Sequence, residues 1–131
     1  MIKVVKQLAV FLENHPEALL RLTKDLVERK VNIEALSITD AVDHSVIRMV
    51  VDNAALAQTI FKETGVMAVE SELIQVFIEN KPGHLKEFCE KLSKAGINIE
   101  YAYGSDSPVS KKVTLYVRVV DIPKAIAVLS K

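Results

Sequence analysis

The residues best suited to chemistry form one short run, Asn80-Lys81-Pro82-Gly83-His84-Leu85, set just ahead of a helical pattern. A helix start presents N–H groups without partners and a partial positive charge, so a carboxylate docks there. Glycine lets a ligand approach the backbone closely, and Asn80 offers a donor and an acceptor beside it. The chemistry implied is recognition of a small carboxylate by hydrogen bonding. A second run, Asn14-His15-Pro16-Glu17-Ala18-Leu19, keeps the asparagine and proline but has Glu17 in place of the glycine. A carboxylate side chain there stabilises the helix and repels an incoming carboxylate. The run at Asn80 is therefore the better site and Asn14 the weaker one, although either run can also serve simply as a cap and turn.

Other chemistries find little support. His15, His44 and His84 are scattered without partners at ligand spacing and read as surface residues, so no metal or cofactor is expected. No G-x-S-x-G, P-loop or paired-carboxylate arrangement occurs, and the chain reads as no enzyme. Cys89 is the one cysteine; it suits a reducing, cytoplasmic setting and a half-buried packing role on a helix. Seventeen basic and seventeen acidic residues cancel, which removes the usual electrostatic drive toward nucleic acid or an anionic membrane. No apolar run approaches a membrane span, and the first residues lack a signal-peptide layout.

The elements that must position these residues come from a duplication. Sliding the chain by 66 residues lays 77–100 over 11–34, and nine positions coincide: Phe11/Phe77, Glu13/Glu79, Asn14/Asn80, Pro16/Pro82, Leu19/Leu85, Leu26/Leu92, Asn32/Asn98, Ile33/Ile99 and Glu34/Glu100. Residues 2–12 are rich in Val, Ile, Leu and Phe and read as a strand. Pro16 fits the first turn of a helix, with Asn14 or His15 in the cap region, and Leu19, Leu22 and Leu26 form its buried stripe. Strands at 32–39 and 45–51 flank a polar turn at 40–43. Asp52 is the expected cap of a second helix, with Leu56 and Ile60 at helical spacing, which Gly65 ends before a strand at 66–69.

The second unit repeats this order. A strand at 73–79 leads to a helix at 82–95 with Leu85, Phe88 and Leu92 inward and Gly96 just past its end; a strand follows at 98–104. The turn at 105–112 is longer than its counterpart by three residues, since Val51-Asp52 aligns with Val120-Asp121. Val113, Leu115, Val117 and Val119 alternate with polar and aromatic residues in the next strand, and Asp121-Ile122-Pro123 opens the last helix. This strand order is shared with RNA-recognition folds. Neither central strand carries a base-stacking platform, however, and Tyr101 and Tyr103 either border a pocket or cover an open sheet face.

The expected fold class is α+β: two ferredoxin-like βαββαβ sandwiches, each an antiparallel sheet with helices on one face, over residues 1–71 and 72–131, the second lacking its last strand. The N-x-P-G-x-L run with Gly96-Ile97-Asn98-Ile99 after the helix resembles the ACT domain, a small regulatory module of amino-acid biosynthetic enzymes. Asn14 to Leu19 with Lys30-Val31-Asn32-Ile33 is a second, less complete copy. The chain thus resembles free-standing double-ACT proteins. That resemblance implies a free amino acid as ligand, a regulated partner enzyme, and contacts from Asn80 and Asn98, or Asn14 and Asn32, across an interface. A histidine that serine-binding members place two residues before the loop asparagine is Leu12 or Ile78 here, so serine is not implied. A glycine-bearing site of Asn80, Lys81, Pro82, Gly83, His84 and Leu85, completed by Asn32 and Ile33, is the expectation.

Where the second unit stops short, residues 73–79 are expected to form a bare apolar edge covered by a second copy in a homodimer. The alternative function is a protein-interaction module whose ligand loops are vestigial and which pairs sheet edges with a partner.

Overall fold

The computed structural model describes residues 2–40, 42–107 and 109–131. Ala41 and Pro108, which fall in the turns expected at 40–43 and 105–112, lie outside the described residues. The chain forms two compact units, Lys6–Ser71 and Glu72–Lys131, the latter joined by residues 2–5. Ten elements build them: β1 (Ile2–Glu13), α1 (Pro16–Glu28), β2 (Ile33–Asp40), β3 (His44–Val51), α2 (Ala54–Thr64), β4 (Met67–Glu79), α3 (His84–Lys94), β5 (Ile99–Ser107), β6 (Lys112–Val119) and α4 (Ile122–Leu129).

In the first unit the strands lie in the order β2-β3-β1-β4, with β3 antiparallel to both neighbours; Val10 stands opposite Ile47 and Leu36 opposite Met49. In the second the order is β1-β4-β6-β5, with β6 antiparallel to β4 and β5. Each unit is a ferredoxin-like βαββαβ sandwich, an α+β fold.

The second unit does not lack its fourth strand. Residues 2–5, the start of β1, lie beside β4, and Ile2 packs against the second core. The edge at 73–79 that was expected to be bare is paired within the chain. The reason is strand length. β1 runs for 12 residues and β4 for 13, because neither contains a glycine or proline to stop it. The separate strands expected at 66–69 and 73–79 are one, since Glu70-Ser71-Glu72 between them holds no glycine, proline, asparagine or aspartate to turn the chain.

The alternation along the strands decides the cores. Leu8 and Val10 of β1 meet Ile47, Met49 and Val51 of β3 beneath Leu22 and Leu26 of α1 and Ala57, Ile60 and Phe61 of α2. In the second unit Ile74, Val76, Val117 and Val119 lie beneath Phe88, Leu92 and Ala125. Leu19, Leu56 and Leu115 are half-buried against these clusters, and Val113 is half-buried as well. Leu85 is an exception at 57% exposure. α3 begins at His84, two residues later than the proline-led start expected, so Leu85 sits in the first turn rather than over the sheet. Cys89, one residue and thus about 100° around the helix from Phe88, is exposed and not half-buried.

Candidate functional site

β4 ends at Glu79, and the next residues turn the chain into α3. The turn is held by its own backbone. Asn80 N–H donates to the Lys111 carbonyl (3.0 Å), Lys81 N–H to Glu79 (2.9 Å) and His84 N–H to Lys81 (3.2 Å). Gly83 precedes the helix with φ 97°, in the left-handed region, and its carbonyl accepts the first helical bond from Glu87 N–H at 2.9 Å. A Cβ at Gly83 would meet nothing within 4 Å, so the backbone angle rather than crowding demands glycine, and the space beside it is open.

The β5–β6 hairpin faces this turn. Between them lies an open cavity of about 460 Å³, lined by Glu79, Asn80 and Lys81 on one side and by Asp106, Ser107, Ser110, Lys111 and Lys112 on the other. Lys81 Nζ pairs with Glu79 Oε2 at 3.3 Å. Asp106, Lys111 and Lys112 make no ion pair among the described residues. The hairpin is tightened by Lys111 N–H donating to the Ser107 carbonyl (2.8 Å), with Lys111 itself left-handed at φ 57°. The wall therefore offers charges of both signs and two hydroxyls. Sequence reasoning gave the hairpin no role in the site; its signal was the three extra residues of this turn relative to the first unit.

The remaining expected residues are placed less directly. Pro82 and Gly83 are exposed in the turn and Leu85 points away from any core. His84 lines a separate cavity of about 320 Å³ with Ile2, Phe77, Glu87, Phe88 and Lys91. In the first unit α1 starts at Pro16, with His15 extended at the cap and no side-chain bond to the helix. His15 Nε2 lies 3.1 Å from Glu13 Oε2 instead. Asn14 lines a cavity of about 310 Å³ whose wall is largely apolar, from Leu12, Ala18, Leu19, Ile38 and Ile47.

Asn32 and Asn98 stand exposed just before β2 and β5, at the far ends of α1 and α3. Thirteen and eleven helical residues put roughly 20 and 16 Å between those ends at about 1.5 Å per residue. No unit brings Asn80 together with Asn98, or Asn14 with Asn32. Asn32 is pinned by Asp52: its N–H donates to Asp52 Oδ1 and its carbonyl accepts Asp52 N–H, both at 3.0 Å. The half-buried Ile33 and Ile99 open their strands, and both strands shift register just afterward, between Ile33 and Ala35 and between Ile99 and Tyr101. On the sheet, Tyr103 stacks on Tyr116 (centroids 5.6 Å apart), whose hydroxyl accepts a bond from Gln75 Nε2 at 3.0 Å.

The family model of the ACT domain pair matches residues 3–128. The chain belongs to the ACT domain pair family. Among solved structures, this ACT pair is similar to protein BT0572 from Bacteroides thetaiotaomicron, with 28% identity, a TM-score of 0.93, and coverage of 98% of this chain and 88% of that one. It also resembles the regulatory subunit of aspartate kinase from Thermus thermophilus in its ligand-free form (12% identity, TM-score 0.70, covering 99% and 93%). A third is aspartate kinase from Synechocystis (19% identity, TM-score 0.64), where the match covers 98% of this chain and 26% of the enzyme. At these last two identities the likeness is one of fold. No curated protein sequence matches the chain. Among the described residues of the ACT pair, no helix is long and apolar enough to cross a membrane and no cluster of three or more His, Cys, Asp or Glu side chains is placed to hold a metal ion.

Proposed function

We propose that this ACT domain pair is a non-catalytic sensor that binds a free amino acid and, as a cytoplasmic homodimer, regulates a partner enzyme or pathway of amino-acid metabolism. One observation carries the reading: the glycine-bearing loop at Asn80 opens onto a cavity with charges of both signs. An amino acid is a zwitterion. Its ammonium finds Glu79 and Asp106, and its carboxylate finds Lys111, Lys112 and the Ser107 hydroxyl. Asn80 supplies a donor and an acceptor and Lys81 lines the same wall, while Pro82, Gly83, His84 and Leu85 follow as the exposed turn and the first residues of α3. Because Asn98 lies at the other end of α3, a second asparagine contact is supplied by a second copy of the chain, through Asn98 or through Asn32 and Ile33. The site at Asn14, with its apolar wall and Glu17, is the weaker one. Ligand regulation also accords with the aspartate kinase regulatory subunit, whose structure is a ligand-free form.

Calorimetry with the common amino acids tests this reading on the wild-type chain, Asn80→Ala and Asn14→Ala. Binding of one amino acid that is lost in Asn80→Ala and kept in Asn14→Ala is the expected result. The reverse order overturns the site, and silence across all the amino acids overturns the function. Silence favours the second reading, an interaction module pairing sheet edges. Its supporting observation is β2, an edge strand that leaves Leu36 and Ile38 exposed at 43% and 49%.

A further inference from the structure

The leading helices of the two units carry opposite charges. Under the 66-residue repeat Arg21 corresponds to Glu87 and Lys24 to Glu90; Asp25 corresponds to Lys91 and Glu28 to Lys94. Every position charged in both α1 and α3 is inverted, whereas Glu13/Glu79 and Glu34/Glu100, outside the helices, keep their sign. The four positions fall at i, i+3, i+4 and i+7 and make one stripe on each helix. Asp25 is half-buried and the other seven are exposed. From amino to carboxyl end, α1 reads plus, plus, minus, minus, and α3 reads the opposite.

These charges are largely unspent within the chain. Glu90 pairs with Lys86 at 3.2 Å. The other seven make no ion pair among the described residues. Each stripe also borders an open cavity whose wall mixes polar and apolar side chains. Arg21 and Asp25 line one of about 500 Å³ beside Leu22 and Met67. Glu87 and Lys91 line one of about 320 Å³ beside Phe88 and Leu129. α1 further exposes Leu20 at 56% and Val27 at 71%, which flank the stripe about 40 to 60° around the helix from Lys24 at its edge.

We infer that the two stripes form a self-complementary interface, with α1 of one copy lying parallel against α3 of a second copy and the reciprocal contact made by the other two helices. In that direction all four positions meet their opposites. The antiparallel direction of the same two helices sets like charges together, so charge fixes the orientation of this pair; the antiparallel pairing of like helices, which is also charge-matched, is what the reversed chains below distinguish from it. The surface uses no residue of the Asn80 cavity, and this association stands independently of the ligand.

Two variants of the full chain test it: α1 reversed (Arg21→Glu, Lys24→Glu, Asp25→Lys, Glu28→Lys) and α3 reversed (Glu87→Lys, Glu90→Lys, Lys91→Glu, Lys94→Glu). Sedimentation equilibrium at low ionic strength reads their association. The wild-type chain is expected to dimerise and to dissociate as salt is added. Each reversed chain alone is expected to bind itself at least about tenfold more weakly, because every pair becomes repulsive. An equimolar mixture of the two is expected to form a dimer again, since each reversed helix then meets its complement. That rescue cannot come from misfolded chains. A wild-type monomer at low salt overturns the inference, as does a reversed chain that self-associates like the wild type, which would place the contact elsewhere or between like helices. A mixture that stays monomeric overturns it as well.

Discussion

Lys30 and Gly96 end the first helices of the two units in the same left-handed backbone, at φ 59° and 72°. The next residue closes each helix identically, Val31 N–H donating to the Leu26 carbonyl and Ile97 N–H to that of Leu92, both at 2.9 Å. Glycine enters this region freely, while a residue with a Cβ gives up roughly 1 to 2 kcal/mol. Part of that is offset by the greater unfolded-state freedom of glycine, about 0.4 to 1 kcal/mol. Lys30→Gly is therefore expected to stabilise the first unit by about 0.5 to 1 kcal/mol, and Gly96→Ala to destabilise the second by about 1 kcal/mol. Urea unfolding checks both. A Lys30→Gly variant that unfolds at lower urea than the wild type contradicts the account.

Gly104 tells a different story, because its constraint is space. It sits on β5 opposite Leu115, where a Cβ would run into the Thr114 carbonyl oxygen and stand 2.7 Å from Leu115 Cδ2. The backbone oxygen cannot swing aside without breaking the β5–β6 ladder. Gly104→Ala is expected to cost about 1 to 3 kcal/mol, as other overpacked sites do. Thermal unfolding of Gly104→Ala beside Ser105→Ala, whose neighbouring residue is exposed, separates crowding from a general loss of strand stability.

Ile2 reports on the strand that completes the second unit. It packs against the cluster of Ile74, Val76 and Phe88, although more than 70 residues separate it from each of them in the chain. Placing a carboxylate there uncovers apolar surface and half-buries a charge, so Ile2→Asp is expected to destabilise the second unit by about 1 to 3 kcal/mol. Hydrogen exchange gives the location: faster exchange at 73–78 of β4, with Ile47 and Met49 of β3 unchanged. Unchanged protection in β4 contradicts the completion of that unit by residues 2–5.

The repeat, the order of elements and the two Asn-x-Pro loops ahead of the helices were legible in the sequence because they depend on local signals: period, proline and glycine placement, and self-similarity. Gly65 ends α2 with φ 73°, and Asp121 caps α4 by accepting Lys124 N–H at 3.0 Å, both as their residue types require. What was not legible depends on pairing between distant segments. Residues 2–5 look like the start of an ordinary first strand, and nothing local marks them as the fourth strand of the other unit. The site was half legible for the same reason. Asn80 and Gly83 announce a loop, but the Asp106–Lys112 side of the cavity exists only because the β5–β6 hairpin folds over Asn80 and its Lys111 carbonyl takes the Asn80 amide.

Asp52 and Asn53 carry the last prediction, which joins stability to function. Asp52 was expected to cap α2, as its counterpart Asp121 caps α4. The cap is instead Asn53, whose Oδ1 accepts Leu56 N–H at 3.1 Å. Moving the cap by one residue leaves the Asp52 carboxylate for Asn32, whose backbone it holds through the reciprocal pair at 3.0 Å. The two side chains should therefore separate in their effects. Asn53→Ala is expected to cost about 1 kcal/mol of stability, the usual value of an N-cap, and to leave amino-acid binding unchanged. Asp52→Ala removes one exposed bond, worth about 1 kcal/mol or less, but frees the segment bearing Asn32 and Ile33. Where these residues complete the site, binding is expected to weaken severalfold. Calorimetry and urea unfolding on the two variants decide it: full affinity in Asp52→Ala removes Asn32 from the site, and reduced affinity in Asn53→Ala ties binding to helix stability instead.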